Sequence, residues 1–180
     1  MDGLRFFCLR RQVRMTGFQG RAHIKIDPKG RIHLPSSFAG VLKKQNQIVV
    51  TNSVYGSEKF LDFYALSEWQ KLEAKISRLP QLKSEVQAFR RFYLSSGEVI
   101  ELDSQSRILV PQHLREYAQL EGDAVMVGMD SKIEIWNSKK WNKLFGEIAN
   151  RFDQVLSVIS DLDETSTNGS LNTPIKRNKK

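Results

Sequence analysis

The stretch "IDPKGRIHLP" (Ile26–Pro35) recurs 76 residues later as "LDSQSRILVP" (Leu102–Pro111). Four of the ten positions are identical, and each copy holds an aspartate and an arginine four residues apart. In the first copy, Asp27, Pro28 and Gly30 stand where a type I turn favours Asp, Pro and Gly. An aspartate side chain can also accept hydrogen bonds from the backbone of its own bend. The sequence therefore predicts a tight turn over residues 27–30.

A short strand follows each turn, and its alternation decides which side chains are exposed. Successive side chains of a strand point to opposite faces. Arg31 is therefore expected to lie outside, beside Lys29, while Ile32 and Leu34 enter the core. Pro35 then ends the strand and allows a helix to begin.

The second copy departs from the first inside the turn. It keeps Asp103 and Arg107, but Gln105 and Ser106 replace the lysine and the glycine of the first copy. We therefore expect the second turn to be looser or of another type, and to carry one cation fewer.

The segments that follow the two copies have the same order, which favours a duplicated α+β unit over a chance match. Each copy precedes a short helical pattern, two strand-like runs and a helix with a tryptophan in its first turns. The helical patterns are 36–44 and 112–120, the first strands 48–50 and 124–127, the second strands 60–64 and 132–136, and the tryptophans Trp69 and Trp141. The second strands alternate apolar and polar residues, as half-buried strands do.

Three longer helices are expected. The first runs from residue 66 or 67 to Pro80, and the second from about Leu82 to Leu94. The third begins near Asn137 and carries a wide apolar stripe as far as Ile159. This stripe packs either on the chain's own barrel or on a neighbouring subunit. The polar residues 161–180 are expected to form a disordered basic tail.

The charge of the 180-residue chain is +8 and is unevenly placed. Residues 1–14 hold four arginines and one acid, residues 161–180 hold four basic and three acidic residues, and the body keeps the remaining +4. Positive charge alone indicates only non-specific attraction to polyanions. Residues 1–14 are interpreted as a flexible extension or a misplaced start, and alternatively as a basic arm that contacts a polyanion.

The composition and motifs do not favour a disulfide-rich, membrane-spanning, secreted, metal-binding or enzymatic protein. The single cysteine, Cys8, leaves no internal disulfide and suits a reducing compartment. No apolar run approaches the roughly 20 residues that span a bilayer, and no secretory signal is expected. His23, His33 and His113 have no metal-like spacing with the cysteine, and no nucleotide-binding or nucleophile-elbow pattern is present. We therefore expect no enzyme activity, catalytic residue, metal site or cofactor.

"DPKGRIHLP" and "DSQSRILVP" resemble the paired Asp-x-x-x-Arg motifs of the MraZ family, as do "GFQGRAHIKIDPKGRIHLP" and "VMVGMDSKIEIWNSKKW". The resemblance covers about residues 17–152. It implies a fold similar to that of the AbrB regulators: two tandem units, residues 15–94 and 95–160, forming a swapped-hairpin β-barrel with peripheral helices. It also implies a cytoplasmic, nucleoid-associated bacterial regulator of the division and cell-wall gene cluster.

The same resemblance implies the partners and the site. The partners are double-stranded DNA, bound at direct repeats upstream of the protein's own operon, and further copies of the chain in a ring. Arg31 and Arg107 would face DNA with Lys29 beside them, while Asp27, Gly30 and Asp103 would support the turns. Few cations per subunit bind weakly at cellular salt, which favours an oligomer.

A second hypothesis is an oligomeric scaffold whose C-terminal helix docks a protein partner. The apolar stripe of residues 141–159 motivates it. RNA binding is a variant of the first hypothesis, although aromatic side chains for base stacking are scarce beside the turn cations.

Overall fold

The computed structural model describes residues 17–42 and 47–168. The proposed extension at residues 1–14 and the last part of the predicted tail, residues 169–180, lie outside the described residues. The chain divides into two compact units after Ser138. The first unit contains both Asp-x-x-x-Arg turns.

The strand and helix order of the first half recurs in the second. In the first half the elements are β1 (Arg21–Lys25), β2 (Arg31–His33), α1 (Ser36–Leu42), β3 (Gln47–Tyr55), β4 (Glu58–Ala65), α2 (Leu66–Ser77) and α3 (Ser84–Phe89), which continues into a π-helical turn (Arg90–Leu94). In the second half they are β5 (Glu98–Glu101), β6 (Arg107–Leu109), α4 (Gln112–Ala118), β7 (Asp123–Met129), β8 (Lys132–Asn137), α5 (Ser138–Asn150) and α6 (Phe152–Asn168).

The two halves exchange strands within one antiparallel sheet. Its six strands lie in the order β1-β7-β8-β4-β3-β5, so that β1 of the first half pairs with β7 of the second, and β5 of the second pairs with β3 of the first. Strands β4 and β8 meet in the middle. Among the described residues the sheet ends at β1 and β5, and one bridge between Ile26 and Ile32 links β1 to β2. These pairings do not form the closed barrel that the family resemblance implies.

Strands β2 and β6 form a separate two-stranded ribbon, and its inner face belongs to the core. Ile32 and Ile108 stand opposite each other in the ribbon and are fully buried, as are Leu34 and Val110 just beyond it. The alternation that the sequence predicts after each turn is therefore what the structure contains. Burying a Leu or Ile side chain stabilises a fold by about 1.5–3 kcal/mol, so these residues fix the ribbon on the sheet.

A buried polar cluster lies where β4 meets β8. Asp62 is 0% exposed, and its carboxylate accepts hydrogen bonds from the Lys132 Nζ atom at 2.8 Å and from the Tyr93 hydroxyl. Burial alone would lower the pKa of Lys132, but the Asp62 carboxylate outweighs it and raises that pKa. Burial, followed by the Asp62 charge, raises the pKa of Tyr93, so this hydroxyl stays protonated. The cluster ties the π-helical turn to the sheet.

The C-terminal helix differs from its prediction in two ways. It is interrupted at Arg151, which separates α5 from α6. There the Arg151 N–H donates to the Ile148 carbonyl and the Gln154 N–H donates to the Arg151 carbonyl, both at 3.1 Å. These bonds span three residues rather than the four of a regular α-helix. Helix α6 also continues to Asn168, into the stretch that composition alone predicts to be disordered.

Candidate nucleic-acid interface

The first turn is ordered by the carboxylate of Asp27. The Asp27 Oδ1 atom accepts hydrogen bonds from the backbone N–H groups of Lys29 and Arg31, both at 2.9 Å. The Gly30 N–H donates to the Asp27 carbonyl at 2.8 Å, which closes the bend. The Asp27 N–H donates to the Arg31 carbonyl at 3.0 Å and joins the two ends of the turn. The backbone and side chain of one aspartate therefore hold the whole turn.

The second carboxylate oxygen of Asp27 holds the arginine side chain. The Arg31 Nε atom donates to the Asp27 Oδ2 atom at 2.6 Å. A guanidinium has five N–H donors, and Nε supplies one of them. The donors on the two terminal nitrogens keep their capacity for a further acceptor, and the side chain is 39% exposed. Asp27 thus orients Arg31 through Nε. The two terminal nitrogens of the guanidinium, which can bind a planar acceptor together, are not used by Asp27.

The second turn forms the same network, against the expectation that it would be looser. Asp103 Oδ1 accepts from the N–H groups of Gln105 and Arg107 at 2.8 and 2.9 Å, and the Arg107 Nε atom donates to Asp103 Oδ2 at 2.7 Å. Ser106 takes the place of the glycine with a φ of +57°. That is the left-handed region, which non-glycine residues enter at a cost. The aspartate network holds the turn in spite of that cost.

Gly30 is favoured in the first turn by its φ of +86° and by a close neighbour. A Cβ atom at this position would lie 2.4 Å from the Nε atom of Arg115, which crosses over the glycine from α4. The same Nε atom donates to the Val110 carbonyl at 3.1 Å. At the repeat spacing of 76 residues, the counterpart of Arg115 is Ala39, a small residue. The second turn therefore has no arginine at the position equivalent to Arg115.

The ribbon brings the two arginines to one face. Arg31 stands opposite Leu109, and His33 stands opposite Arg107. Since Ile32 and Ile108 point inward, these four side chains share the outward face, which we call the ribbon face. His33 and Leu109 are exposed, and the two arginines are diagonal neighbours, whose Cα atoms lie ~7–8 Å apart in such pairs. The two turns themselves lie at opposite ends of the ribbon.

The charges of the two turns differ although their geometry does not. The hydrogen bond from the Arg31 backbone is the main cause that lowers the pKa of Asp27, and the Arg107 backbone does the same for Asp103. Both aspartates are therefore anionic at neutral pH. The first turn carries Lys29 and Arg31 against one carboxylate, a net +1, whereas the second carries one arginine against one carboxylate, a net zero.

The predicted site residues thus fall into two separate turns that the β2–β6 pairing joins into one surface. The sequence did not indicate Arg115, because its counterpart in the other half is an alanine and the repeat gives no signal. His33 and Leu109 were missed as members of this face because only the pairing of distant strands places them beside the arginines.

The described residues were also compared with the geometry of metal sites and of membrane-spanning helices. No group of histidine, aspartate and glutamate side chains within residues 17–42 and 47–168 is arranged to hold a metal ion. Within the same ranges, no helix is both long and apolar enough to cross a bilayer. Each turn aspartate is bonded to its own arginine rather than to the other aspartate.

Comparison with known proteins identifies the family of the chain. The family model described as "MraZ protein, putative antitoxin-like" matches residues 18–92 and 94–157, with one Asp-x-x-x-Arg turn in each match. The chain belongs to the MraZ family. The two matched segments together include every element from β1 to the first turn of α6.

Curated MraZ relatives match over nearly their whole length. A protein of Pelotomaculum thermopropionicum is 39% identical over 146 residues, which are 81% of this chain and 97% of the relative. A protein of Heliobacterium modesticaldum is 37% identical, over 81% of this chain and 99% of the relative. Both relatives are named "Transcriptional regulator MraZ". A solution structure of PHS018 from Pyrococcus horikoshii has a TM-score of 0.31 and 12% identity over 66% of this chain and 87% of that one, too distant to define a shared fold.

Proposed function

We propose that this MraZ chain is a sequence-specific DNA-binding transcriptional regulator and not an enzyme. One observation carries the proposal: two turns with the same aspartate–arginine network present their arginines on one face of a two-stranded ribbon. The names of the two curated relatives support the same conclusion.

A two-stranded ribbon is a form that the major groove of B-DNA admits. An arginine held at its Nε atom presents its terminal nitrogens as a fork, which fits guanine O6 and N7 or a phosphate. In the proposed complex Arg31 and Arg107 contact base edges, and Lys29 contacts the phosphate backbone. Asp27 and Asp103 fix the two arginines in advance, so that less side-chain freedom is lost on binding.

Assembly into a ring-shaped homo-oligomer is part of the proposal. A single subunit offers a net charge of +1 at one turn and zero at the other, which is too little for tight binding at cellular salt. Linked copies raise the effective affinity steeply when their spacing matches the DNA sites. We propose direct repeats in the promoter of the division and cell-wall gene cluster, including the protein's own operon, as these sites. The protein would then work in the cytoplasm, associated with the nucleoid.

The proposed architecture consists of two AbrB-like repeats, residues 15–94 and 95–160, in a swapped-hairpin barrel. The exchange of β1 and β5 between the halves supports it, as do the equivalent networks of the two turns. In this arrangement the ribbon face is contributed equally by both repeats, so neither repeat alone presents both arginines.

The experiment is a fluorescence polarisation titration of the promoter DNA with the wild type, two arginine variants and one control variant. Arg31→Ala is expected to lose the preference for the promoter over an unrelated duplex, and Arg107→Ala to lose less, because no lysine stands beside it. Lys71→Ala is the matched control, since it removes an exposed cation that pairs with Glu68 on α2. Unchanged promoter affinity in folded Arg31→Ala protein would refute the proposed role.

The alternative function is an oligomeric scaffold that docks a protein partner through its C-terminal helix. One observation favours it: α6 exposes several large apolar side chains, namely Phe152, Leu156, Val158, Ile159 and Leu162. The scaffold hypothesis would be favoured by two results together. The DNA affinity would be the same in the Arg31→Ala and Arg107→Ala variants as in the wild type, and truncation at Arg151 would abolish a complex with a protein partner.

A further inference from the structure

The two repeats contribute equivalent three-residue strands to the ribbon, with one difference between them. The first two positions hold arginine and isoleucine in both strands, whereas the third holds His33 in β2 and Leu109 in β6. A two-fold rotation that exchanged the strands would therefore match every residue type except at this position. The ribbon face is symmetric in its arginines and asymmetric in its other two side chains.

The four side chains of the ribbon face lie close enough together to contact neighbouring base pairs. His33 stands directly opposite Arg107, and Leu109 stands directly opposite Arg31. The Cα atoms of such antiparallel pairs lie ~4.5–5.5 Å apart. Along one strand, alternate residues are roughly 7 Å apart, because a strand rises about 3.3 Å per residue. This distance corresponds to two base-pair steps of roughly 3.4 Å each. When an arginine contacts one base, His33 and Leu109 are therefore placed at the bases beside it.

The His33 ring is oriented by a neighbouring backbone carbonyl, which leaves one ring nitrogen for a ligand. The Nδ1 atom lies 3.2 Å from the carbonyl oxygen of Leu34. A carbonyl only accepts hydrogen bonds, so this contact places the hydrogen on Nδ1, and Nε2 of the neutral ring is then an acceptor. In the major groove, adenine and cytosine each present an amino group that donates, whereas guanine and thymine present only acceptors. An acceptor at His33 therefore fits adenine or cytosine.

Leu109 presents an apolar surface at the equivalent position. It is 57% exposed, whereas the neighbouring Ile108 is 1% exposed, so Leu109 adds little to the core. The C5-methyl group of thymine is the apolar group that the major groove offers, and apolar side chains contact it. Such a contact removes both the leucine and the methyl group from water, which is favourable. Leu109 therefore fits thymine.

We propose that His33 and Leu109 determine which bases this chain prefers beside those contacted by Arg31 and Arg107. His33 accepts a hydrogen bond from the amino group of adenine or cytosine, and Leu109 contacts the methyl group of a thymine. This inference rests on the proposed DNA-binding function and names the bases that the same face selects. Because the two side chains differ, the preferred site is not palindromic, and the ribbon binds it in one direction. Direct repeats suit such a protein, since every copy of the site then has the same direction.

The loss of one methyl group from the DNA tests the role of Leu109. In the promoter duplex upstream of the protein's own gene, each thymine is replaced singly by deoxyuridine, which keeps the base pairing and lacks the methyl group. The wild type is expected to bind about fourfold more weakly when the contacted thymine is replaced, which is the effect of one buried CH₂ group. Leu109→Ala should show no such difference at that thymine. Leu82→Ala is the matched control, because it makes the same truncation at a 93% exposed leucine outside the ribbon, and it should respond as the wild type does.

The loss of one amino group tests the role of His33 in the same way. Adenine is replaced singly by purine, and cytosine by 2-pyrimidinone, so that only the exocyclic amino group is missing. At about pH 8, where free imidazole is neutral, the wild type should bind about 2- to 10-fold more weakly at one such position, the effect of one lost hydrogen bond. His33→Leu should bind the two duplexes equally and should favour thymine at that position. His23→Leu, an exposed histidine on β1 outside the ribbon, is the control.

The outcomes separate this inference from the proposed function. Circular dichroism checks that each variant is folded, and weaker base pairing in the altered duplexes affects all variants alike. Wild-type affinity that is unchanged by every replacement would overturn the inference, as would Leu109→Ala and His33→Leu proteins that respond as the wild type does. If Arg31→Ala lost the promoter preference while the replacements had no effect, the proposed function would stand and this inference alone would fail. Absence of any promoter preference in the wild type would refute both.

Discussion

Replacing Asp27 by asparagine separates pre-orientation of Arg31 from simple attraction to DNA. The asparagine Oδ1 atom can still accept the N–H groups of Lys29 and Arg31, so the turn is kept. The Arg31 Nε atom loses its acceptor at 2.6 Å, and the local net charge rises from +1 to +2. The variant therefore gains charge and loses order at the same time.

Loss of order should lower the preference for the promoter, whereas the gain of positive charge should raise the affinity for DNA of any sequence. A well-placed bidentate arginine contributes roughly 1–3 kcal/mol of base discrimination, so the promoter preference of Asp27→Asn should fall about 5- to 150-fold per site. Removal of the carboxylate leaves one more unneutralised positive charge beside the phosphates, which should steepen the dependence of log affinity on log salt by up to about 0.9. Binding to unrelated DNA at low salt should therefore become tighter.

The assay is a polarisation titration of promoter and unrelated duplexes over a series of salt concentrations. Asp103→Asn serves as the matched variant in the second turn, where the same change takes the net charge from zero to +1. If Asp27→Asn bound the promoter more tightly and with unchanged preference, the aspartate would not be orienting a base-reading arginine. The charge alone would then account for binding.

Three further predictions concern stability. Lys132→Met should lower the free energy of unfolding by about 3–5 kcal/mol in urea denaturation, because it leaves the fully buried Asp62 carboxylate without its cation; a loss as small as that of an exposed pair would contradict this. Gly30→Ser should destabilise by at least ~1–2 kcal/mol, from its positive φ and the displacement of Arg115, whereas Ser106→Gly should be neutral or slightly stabilising; equal effects at the two positions would refute the explanation. The lowered pKa of both turn aspartates means that their contribution to stability is complete above about pH 4 and is lost as the pH falls through the lowered values; carboxyl NMR titration that found ordinary or raised values would contradict it.

The turns and the strands after them were predictable because their causes are local. Turn chemistry placed Asp27 and Gly30, and alternation placed Ile32 and Leu34 inside. The geometry of the second turn was not predictable from its residue types. The reason is that the aspartate network, rather than glycine, holds Ser106 in the left-handed region.

The parts of the fold that the sequence did not predict depend on residues far apart in the chain. The β2–β6 pairing that forms the ribbon face joins segments 76 residues apart, and no local pattern specifies it. The ion pair between Asp62 and Lys132 spans β4 and β8 in the same way. The interruption at Arg151 lies inside a continuous apolar stripe, and periodicity alone therefore predicts one helix there.

Photo-cross-linking from the ribbon face tests the central claim most directly. Leu109 is 57% exposed on that face, next to both arginines, so a photoreactive phenylalanine analogue at this position should cross-link to bound promoter DNA. The same analogue at Leu82, which is 93% exposed between α2 and α3, is the control and should not cross-link. DNA captured from position 109 alone, and lost in Arg31→Ala, is the result we predict. Bound promoter DNA that cross-links from position 82 and not from 109 would contradict the account.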